Sequence, residues 1–456
     1  MNLNKYIFRE YDIRGKVSDD FPPDVVESLG RGFGTFIKRS GGREIALSGD
    51  VRLTTPSLID QFKTGVLSTG IDVINIGILP TPANYYSMFK LDVAGAVQIT
   101  GSHNPPEFNG FKMSQNKKAV FGESIQNIRA IIEKMDYEIG EGMEATYDIL
   151  SDYKQMLVSK IDIQKRIKVV MDCGNAAGAI CAPEVFKKLN VELTELYCDV
   201  DGTFPNHHPD PTVENNLTDL VDLIKSGDYD IGLAFDGDAD RVGVIDETGD
   251  VVWADQLMAL FLPEVVEQGD EILFDVKCSQ ALEEMIIKYG GKPVMWKTGH
   301  SLIKQRMAEL NCKLGGEMSG HIFFADDFFG FDDAIYVGAR IVQTLSRTDK
   351  KLSELKAELP KYYSTPEIRL EAKSDEEKFR IAKEAIDYFT ANYDCSTVDG
   401  VRIKFSDGWG LVRSSNTQPV IVCRFEANTS KRMEEIQSIV MNKLQEIGVL
   451  KFDGGH

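Results

Sequence analysis

"YDIGLAFDGDADR", residues 229–241, runs from an apolar strand straight into a loop carrying three aspartates. Two other stretches share its shape: "VAGAVQITGSHN" (93–104) and "CKLGGEMSGHIFF" (312–324). Working outward, each is the third strand of a longer pattern. The first strands are "REIALSGD" (43–50), "RIKVVMDCGNAAG" (166–178) and "DEILFDVKCS" (270–279). The second strands are "IDVINIGILPTP" (71–82), "VELTELYCD" (191–199) and "KPVMWKTGH" (292–300), and helix-like segments stand between first and second. Alternation of strand and helix predicts α/β units with mostly parallel strands. In open α/β sheets ligands gather at the carboxyl ends of strands. Three polar loops at equivalent strand ends are therefore the candidate sites.

The tail breaks the pattern. "DEEKFRIAKEAIDYFTAN" leads into "VDGVRIKFSDGWGLVRSSNTQPVIVCRFEA", a meander with Gly-rich turns, and "TSKRMEEIQSIVMNKLQEI" closes as an amphipathic helix. The expected organisation is three related α/β domains, 1–150, 151–252 and 253–365, with mixed, mostly parallel sheets, followed by a smaller α+β domain, 366–456.

Composition narrows the function. The 456 residues suggest about three domains, give or take one. A formal charge of −20 disfavours nucleic acid and anionic lipid as partners. No apolar run is long enough to span a bilayer, and the N-terminus lacks a signal-peptide layout. Seven cysteines, scattered singly and without a CxxC, predict reduced thiols in a cytoplasmic protein.

In "FDGDADR" Asp236, Asp238 and Asp240 alternate, so extended backbone projects them to one side. Oxygen-only ligands suit a hard ion such as Mg²⁺. An EF-hand is rejected, because Arg241 occupies the position of its obligatory glycine; a phosphatase-type DxD, which needs one nucleophile and one acid, fits less well than three ligands. The plainer alternative is a solvated acidic turn. "TGSHNPPEFNGFK" (100–112) places Ser102 and Lys112 around two turns. "GEMSGH" (316–321) offers groups that suit sugar hydroxyls, and "RSSNTQP" (413–419) could cradle a phosphate. Alone, each of these loops reads equally well as an ordinary turn. Arg9 and Arg14 in "FREYDIRG" (8–15), with Lys277, Lys297 and His300 after strands, would make a local cationic pocket in an acidic protein.

Taken together, in this order from Phe8 to Pro419, these motifs resemble the α-D-phosphohexomutase family, most closely its bacterial branch acting on mannose and glucose phosphates. The resemblance implies four domains around a central cleft, and interconversion of hexose 1-phosphate and hexose 6-phosphate through a phosphoserine and a hexose 1,6-bisphosphate. It implies that Ser102 is the phosphorylated residue and that Asp236, Asp238 and Asp240 bind Mg²⁺ with a phosphoserine oxygen. It gives Lys112 and His300 acid/base roles beside Arg14, Lys277 and Arg241. Tyr11, Glu317, Ser319 and His321 would meet the sugar, and Arg413, Ser415, Asn416 and Thr417 the idle phosphate. "SGDVRLTTP" (48–56) departs from the Gly-Arg-Asp-x-Arg run common in that family, which leaves the role of Arg52 open. The alternatives are a phosphoglucosamine mutase and a catalytically silent sugar-phosphate binding protein. Nothing in the sequence chooses between monomer and dimer.

Overall fold

The computed structural model describes residues 3–415, 420–448 and 451–452. The three repeated units appear as three sheets with one strand order. In the first, the Gly95–Ile99, Glu44–Gly49 and Asp72–Ile78 strands lie side by side, all parallel. In the second the order is Ile231–Phe235, Ile167–Asp172, Val191–Leu196, again parallel. In the third it is Leu314–Gly316, Glu271–Asp275, Lys292–Trp296, also parallel. The third strand of each unit thus always flanks the first, and its carboxyl end opens into the polar loop. Crossover helices make this possible, since parallel neighbours cannot be joined by a tight hairpin.

The sheets are mixed because two of these third strands turn back on themselves. Gly95–Ile99 pairs antiparallel with Phe108–Gln115, with Gln98 opposite Lys112, and the latter strand pairs antiparallel with Ile13–Lys16, with Arg14 opposite Gly110. Ile231–Phe235 pairs antiparallel with Val242–Asp246. Burial follows from this layering. The Gly95–Ile99 and Ile231–Phe235 strands are buried at every position, as expected for strands covered on both faces. The first core gathers Phe33, Phe62, Phe111 and Ile128 from the helices and the sheet.

The C-terminal part is α+β. Its antiparallel strands Val401–Phe405, Gly408–Ser414 and Val420–Ala427 form a meander. The helices Asp375–Asn392 and Ser430–Ile447 supply Ile381, Phe389, Ile436 and Val440 to its core. Both helices start on a hydroxyl cap: Ser374 accepts from the Glu377 amide, and Thr429 from the Arg432 amide.

The chain divides into two compact units. One comprises Met1–Leu257 and Ser319–Lys356, the other Met258–Met318 and Ala357–His456. The stretch expected as a third domain, 253–365, contributes to both. Its Ala334–Ser346 helix belongs to the first unit, where its cap Asp333 accepts a hydrogen bond from the Tyr153 hydroxyl at 2.8 Å. Among the described residues no helix is long and apolar enough to cross a membrane.

Candidate active site

In the first unit the loops that follow two third strands meet. Ser102 lies directly beyond Gly95–Ile99, buried, with φ of +49°, in the left-handed region that non-glycine residues seldom adopt. Its Oγ donates to Asp236 Oδ2 at 3.0 Å and lies 3.2 Å from His103 Nδ1. The two loops touch at a glycine: a Cβ on Gly237 would stand 2.1 Å from the Ser102 carbonyl oxygen, so no larger residue fits there without moving one loop.

Asp236, Asp238 and Asp240 are all fully buried, and each offers a carboxylate oxygen within 4.8 Å of the others. Lys112 Nζ donates to Asp238 Oδ2 at 2.7 Å and to Asp240 Oδ2 at 2.5 Å. Burial alone would lower the Lys112 pKa, but the charges of Asp238, Asp240 and Asp236 outweigh it and raise it above the ordinary lysine value. The aspartates are not equivalent. Burial, with Asp238 and Asp240 nearby, pushes the Asp236 carboxyl well up. Burial acts the same way on Asp238, yet the Lys112 charge and bond, with the Thr81 hydroxyl, take it below the usual range. Thr81 Oγ1 donates to Asp238 Oδ2 at 2.5 Å.

The residues fit a hard cation. Asp238 Oδ1 and Asp240 Oδ1 are buried with no hydrogen-bond partner among the described residues. Orphaned buried carboxylate oxygens are costly unless an ion takes them, and an all-oxygen set is the donor chemistry of Mg²⁺ or Ca²⁺.

Around this centre stand further expected residues. Arg14 donates to Asp12 Oδ2 at 2.6 Å and to Asn104 Oδ1 at 3.3 Å, so it meets the Ser102 loop rather than the aspartates through hydrogen bonds. Arg241 Nε donates to His321 Nε2 at 2.9 Å. His321 Nδ1 lies 3.1 Å from Asp332 Oδ2 and 3.6 Å from Asp240 Oδ1. Tyr11 and Ser319 are half-buried on the same unit.

Arg52, left open by the sequence, turns out to organise the serine loop. Its side chain is wholly buried beside Asp50, to whose Oδ2 its Nε donates at 3.1 Å. Its other nitrogens donate to four carbonyls of that loop: Ser102 at 2.7 Å, Asn104 at 2.5 Å, Pro105 at 2.6 Å and Phe108 at 3.0 Å. Asp50 also accepts from the Thr100 hydroxyl and the Gly101 amide. One ion pair therefore fixes the left-handed turn at Ser102 from outside.

The second unit holds the rest. Glu317, buried, accepts from the Gly299 amide, next to His300 at the start of the His300–Leu310 helix. Lys277 Nζ donates to Glu367 Oε2 at 3.3 Å; burial would lower its pKa, but Glu367 and Asp275 raise it. Arg413 Nε donates to Asp399 Oδ2 at 2.9 Å, and the same oxygen accepts from the Thr298 amide at 3.1 Å. Asp275 accepts from the Thr298 hydroxyl at 2.9 Å and from the Met318 amide at 3.3 Å. Asp399 and Asp275 thus link the Arg413, His300 and Glu317 segments, a role the sequence did not suggest. The Ser415 amide donates to Val420 O at 2.9 Å, and its own carbonyl accepts from Lys378 Nζ at 2.9 Å. Asn416 and Thr417 lie outside the described residues.

Comparison with known proteins covers almost the whole chain. Four family models, for phosphoglucomutase/phosphomannomutase α/β/α domains I, II and III and the C-terminal domain, match residues 5–138, 151–249, 253–363 and 367–443. The chain is 44% identical over 445 residues to a phosphomannomutase/phosphoglucomutase of Pseudomonas aeruginosa, covering 97% of this chain and 96% of that one. It is 41% identical over 443 residues to a phosphoglucomutase of Neisseria meningitidis, covering 96% of each. The crystal structure of a phosphoglucomutase/phosphomannomutase family protein from Burkholderia thailandensis superposes with a TM-score of 0.92 at 38% identity, covering 98% of this chain and all of that one.

Proposed function

The chain belongs to the phosphoglucomutase/phosphomannomutase family, and from that premise we propose that it interconverts the 1- and 6-phosphates of glucose and mannose, with Ser102 as the phosphoryl carrier. The observation that carries this reading is the Ser102 hydroxyl 3.0 Å from Asp236, inside a buried three-aspartate cluster that also holds a lysine.

Phosphorylated Ser102 gives its phosphoryl group to O6 of a hexose 1-phosphate. The Oγ–P bond breaks as the O6–P bond forms, and the product is a hexose 1,6-bisphosphate. The bisphosphate turns end for end, Ser102 Oγ takes the phosphoryl from O1, and a hexose 6-phosphate leaves. Asp236, Asp238 and Asp240 would hold Mg²⁺, which when bound neutralises charge on the transferring group. Lys112, which donates to Asp238 and Asp240, and His300 share the acid/base work, one taking the proton of the attacking sugar hydroxyl and the other returning one to the Ser102 oxygen. Arg14 and Arg241 add positive charge where the equatorial oxygens gather charge in the transition state. Glu317 and Ser319 hold sugar hydroxyls, His321 meets the sugar while accepting from Arg241 Nε, and Arg413 with Ser415, Asn416 and Thr417 grips the phosphate that is not moving. The four functional segments correspond to the domains 1–150, 151–252, 253–365 and 366–456.

The experiment is a coupled assay of both directions on glucose, mannose and glucosamine phosphates, with intact mass measured in parallel. Comparable turnover of the first two, and a fraction of protein carrying one phosphate, is expected. A preference of about a hundredfold, near 2.7 kcal/mol, for glucosamine 1-phosphate would overturn the substrate assignment, and net release of inorganic phosphate would overturn the mutase reading.

A further inference from the structure

The Ile167–Asp172 and Val191–Leu196 strands are parallel neighbours, with Asp172 opposite Leu196. Each runs on into a cysteine, Cys173 on one and Cys198 on the other. The Cys173 amide donates to Leu196 O at 3.2 Å and the Asn175 amide to Tyr197 O at 2.8 Å, so the ladder continues past the strands and fixes both backbones side by side. Both thiols are free, and Cys198 Sγ lies 3.3 Å from Cys173 Sγ across 25 residues of sequence. Cys173 is fully buried, whereas Cys198 is half-buried and reachable from solvent.

The segment after Cys198 leans on the serine loop and its support. Gly202 packs so close to the Val51 carbonyl that a Cβ would stand 2.2 Å from its oxygen. His208 Nε2 contacts the carbonyl oxygen of His103, the neighbour of Ser102. Tension at Cys198 therefore runs along a few residues of chain to these two contacts, which adjoin the loop of the candidate phosphoryl carrier.

We propose that Cys173 and Cys198 are a thiol–disulfide modification site, closed by a hydroperoxide and reopened by a dithiol, that shifts the 199–208 segment resting on the Ser102 loop. A disulfide needs about 2.05 Å between sulfurs, so the pair must close by only about 1.3 Å from its present separation. The Cys198 thiolate attacks one peroxide oxygen; the O–O bond breaks, a sulfenic acid forms, and the departing hydroxide is protonated to water. The Cys173 sulfur then attacks the sulfenic sulfur, the S–O bond breaks, and hydroxide leaves as water with the Cys173 proton. Two thiols lose two electrons, and hydrogen peroxide becomes two waters. Burial, and then the neighbouring Cys198, raise the Cys173 pKa well above the usual thiol value, which makes it the resolving partner rather than the attacking one.

The test uses the full chain with hydrogen peroxide as probe, beside Cys198→Ser and Cys173→Ser. Treated wild type is expected to lose two of its seven titratable thiols, to yield a Cys173–Cys198 cross-linked peptide, and to lose kcat several-fold, with all three reversed by dithiothreitol. Cys198→Ser should keep its untreated kcat through the same exposure. Retention of all seven thiols, or sulfinic acid at Cys198 without a cross-link, would overturn the site. A cross-link that leaves kcat unchanged would overturn its coupling to the Ser102 loop. The cross-link is read by mass, so it stands or falls separately from the hexose-phosphate reading.

Discussion

Replacing Arg52 isolates the support of the serine loop from its chemistry. In Arg52→Lys the charge opposite Asp50 is kept, but the planar fork is lost. Arginine here makes five hydrogen bonds, one to Asp50 and four to loop carbonyls. An ammonium offers three donors on one atom, so at least two charge-assisted bonds disappear, each worth about 1.5–3 kcal/mol. The loss should therefore be at least about 3 kcal/mol in stability. Arg52→Met, which leaves Asp50 buried and unpaired, should cost about 3–5 kcal/mol. Catalytically, a displacement of about 1 Å in a positioned group costs about a hundredfold in rate. The expected result for Arg52→Lys is a folded protein with an earlier urea transition, kcat down ten- to a hundredfold, and KM nearly unchanged, because no substrate contact is removed. Steady-state kinetics with equilibrium unfolding read both. An Arg52→Lys enzyme with wild-type kcat and an unmoved transition would refute the idea that this guanidinium holds the turn at Ser102.

Ser102→Ala should fold normally, carry no phosphate mass and lose nearly all mutase activity, as read by intact mass and the coupled assay. Gly237→Ala, whose new methyl would stand 2.1 Å from the Ser102 carbonyl oxygen, should lower kcat about a hundredfold while circular dichroism stays unchanged. Excess EDTA should abolish turnover and Mg²⁺ restore it, with Asp238→Asn raising the Mg²⁺ concentration needed for half activity. Burial pushes the Asp333 carboxyl up to about 7 against the hydrogen bonds it accepts from the Tyr336 amide and the Tyr153 hydroxyl. A raised folded-state pKa means the Asp333 contribution to stability is fully present below the unfolded value near 3.8 and is lost as pH rises through about 7; Asp333→Asn, which can still cap its helix, should remove that component from thermal melts taken across this window.

What the sequence made legible was whatever is local. The alternation in "FDGDADR" and the strand running into "TGSHN" are patterns within about a dozen residues, the strand–helix–strand units are successions of such short stretches, and together they place Ser102 and the aspartates on strand ends. Residues whose role depends on long-range contact left no such signal. Arg52 acts on carbonyls 50–56 residues away. Asp399 joins Arg413 to the Thr298 amide across 101 residues. A backbone carbonyl has no sequence signature, so a side chain that serves carbonyls looks like any buried ion. The cysteines were deceptive in the same way: spaced singly along the chain, two of them become neighbours only because their strands pair.

The shared strand order also bears on how the chain emerges from a ribosome. In each repeated unit the first strand is bonded on both edges, to the second strand and to the third. Between the end of the first and the start of the third lie roughly 40–60 residues, which take about 2–12 s to synthesise. For that interval an apolar strand has at least one edge open, both until the second strand is made, and an open edge is a template for the wrong partner. The interval recurs three times in one chain. Slowed elongation within 50–94, 173–230 or 276–313 should therefore lower the yield of native protein more than the same delay placed in the C-terminal meander, where neighbouring strands are made almost back to back.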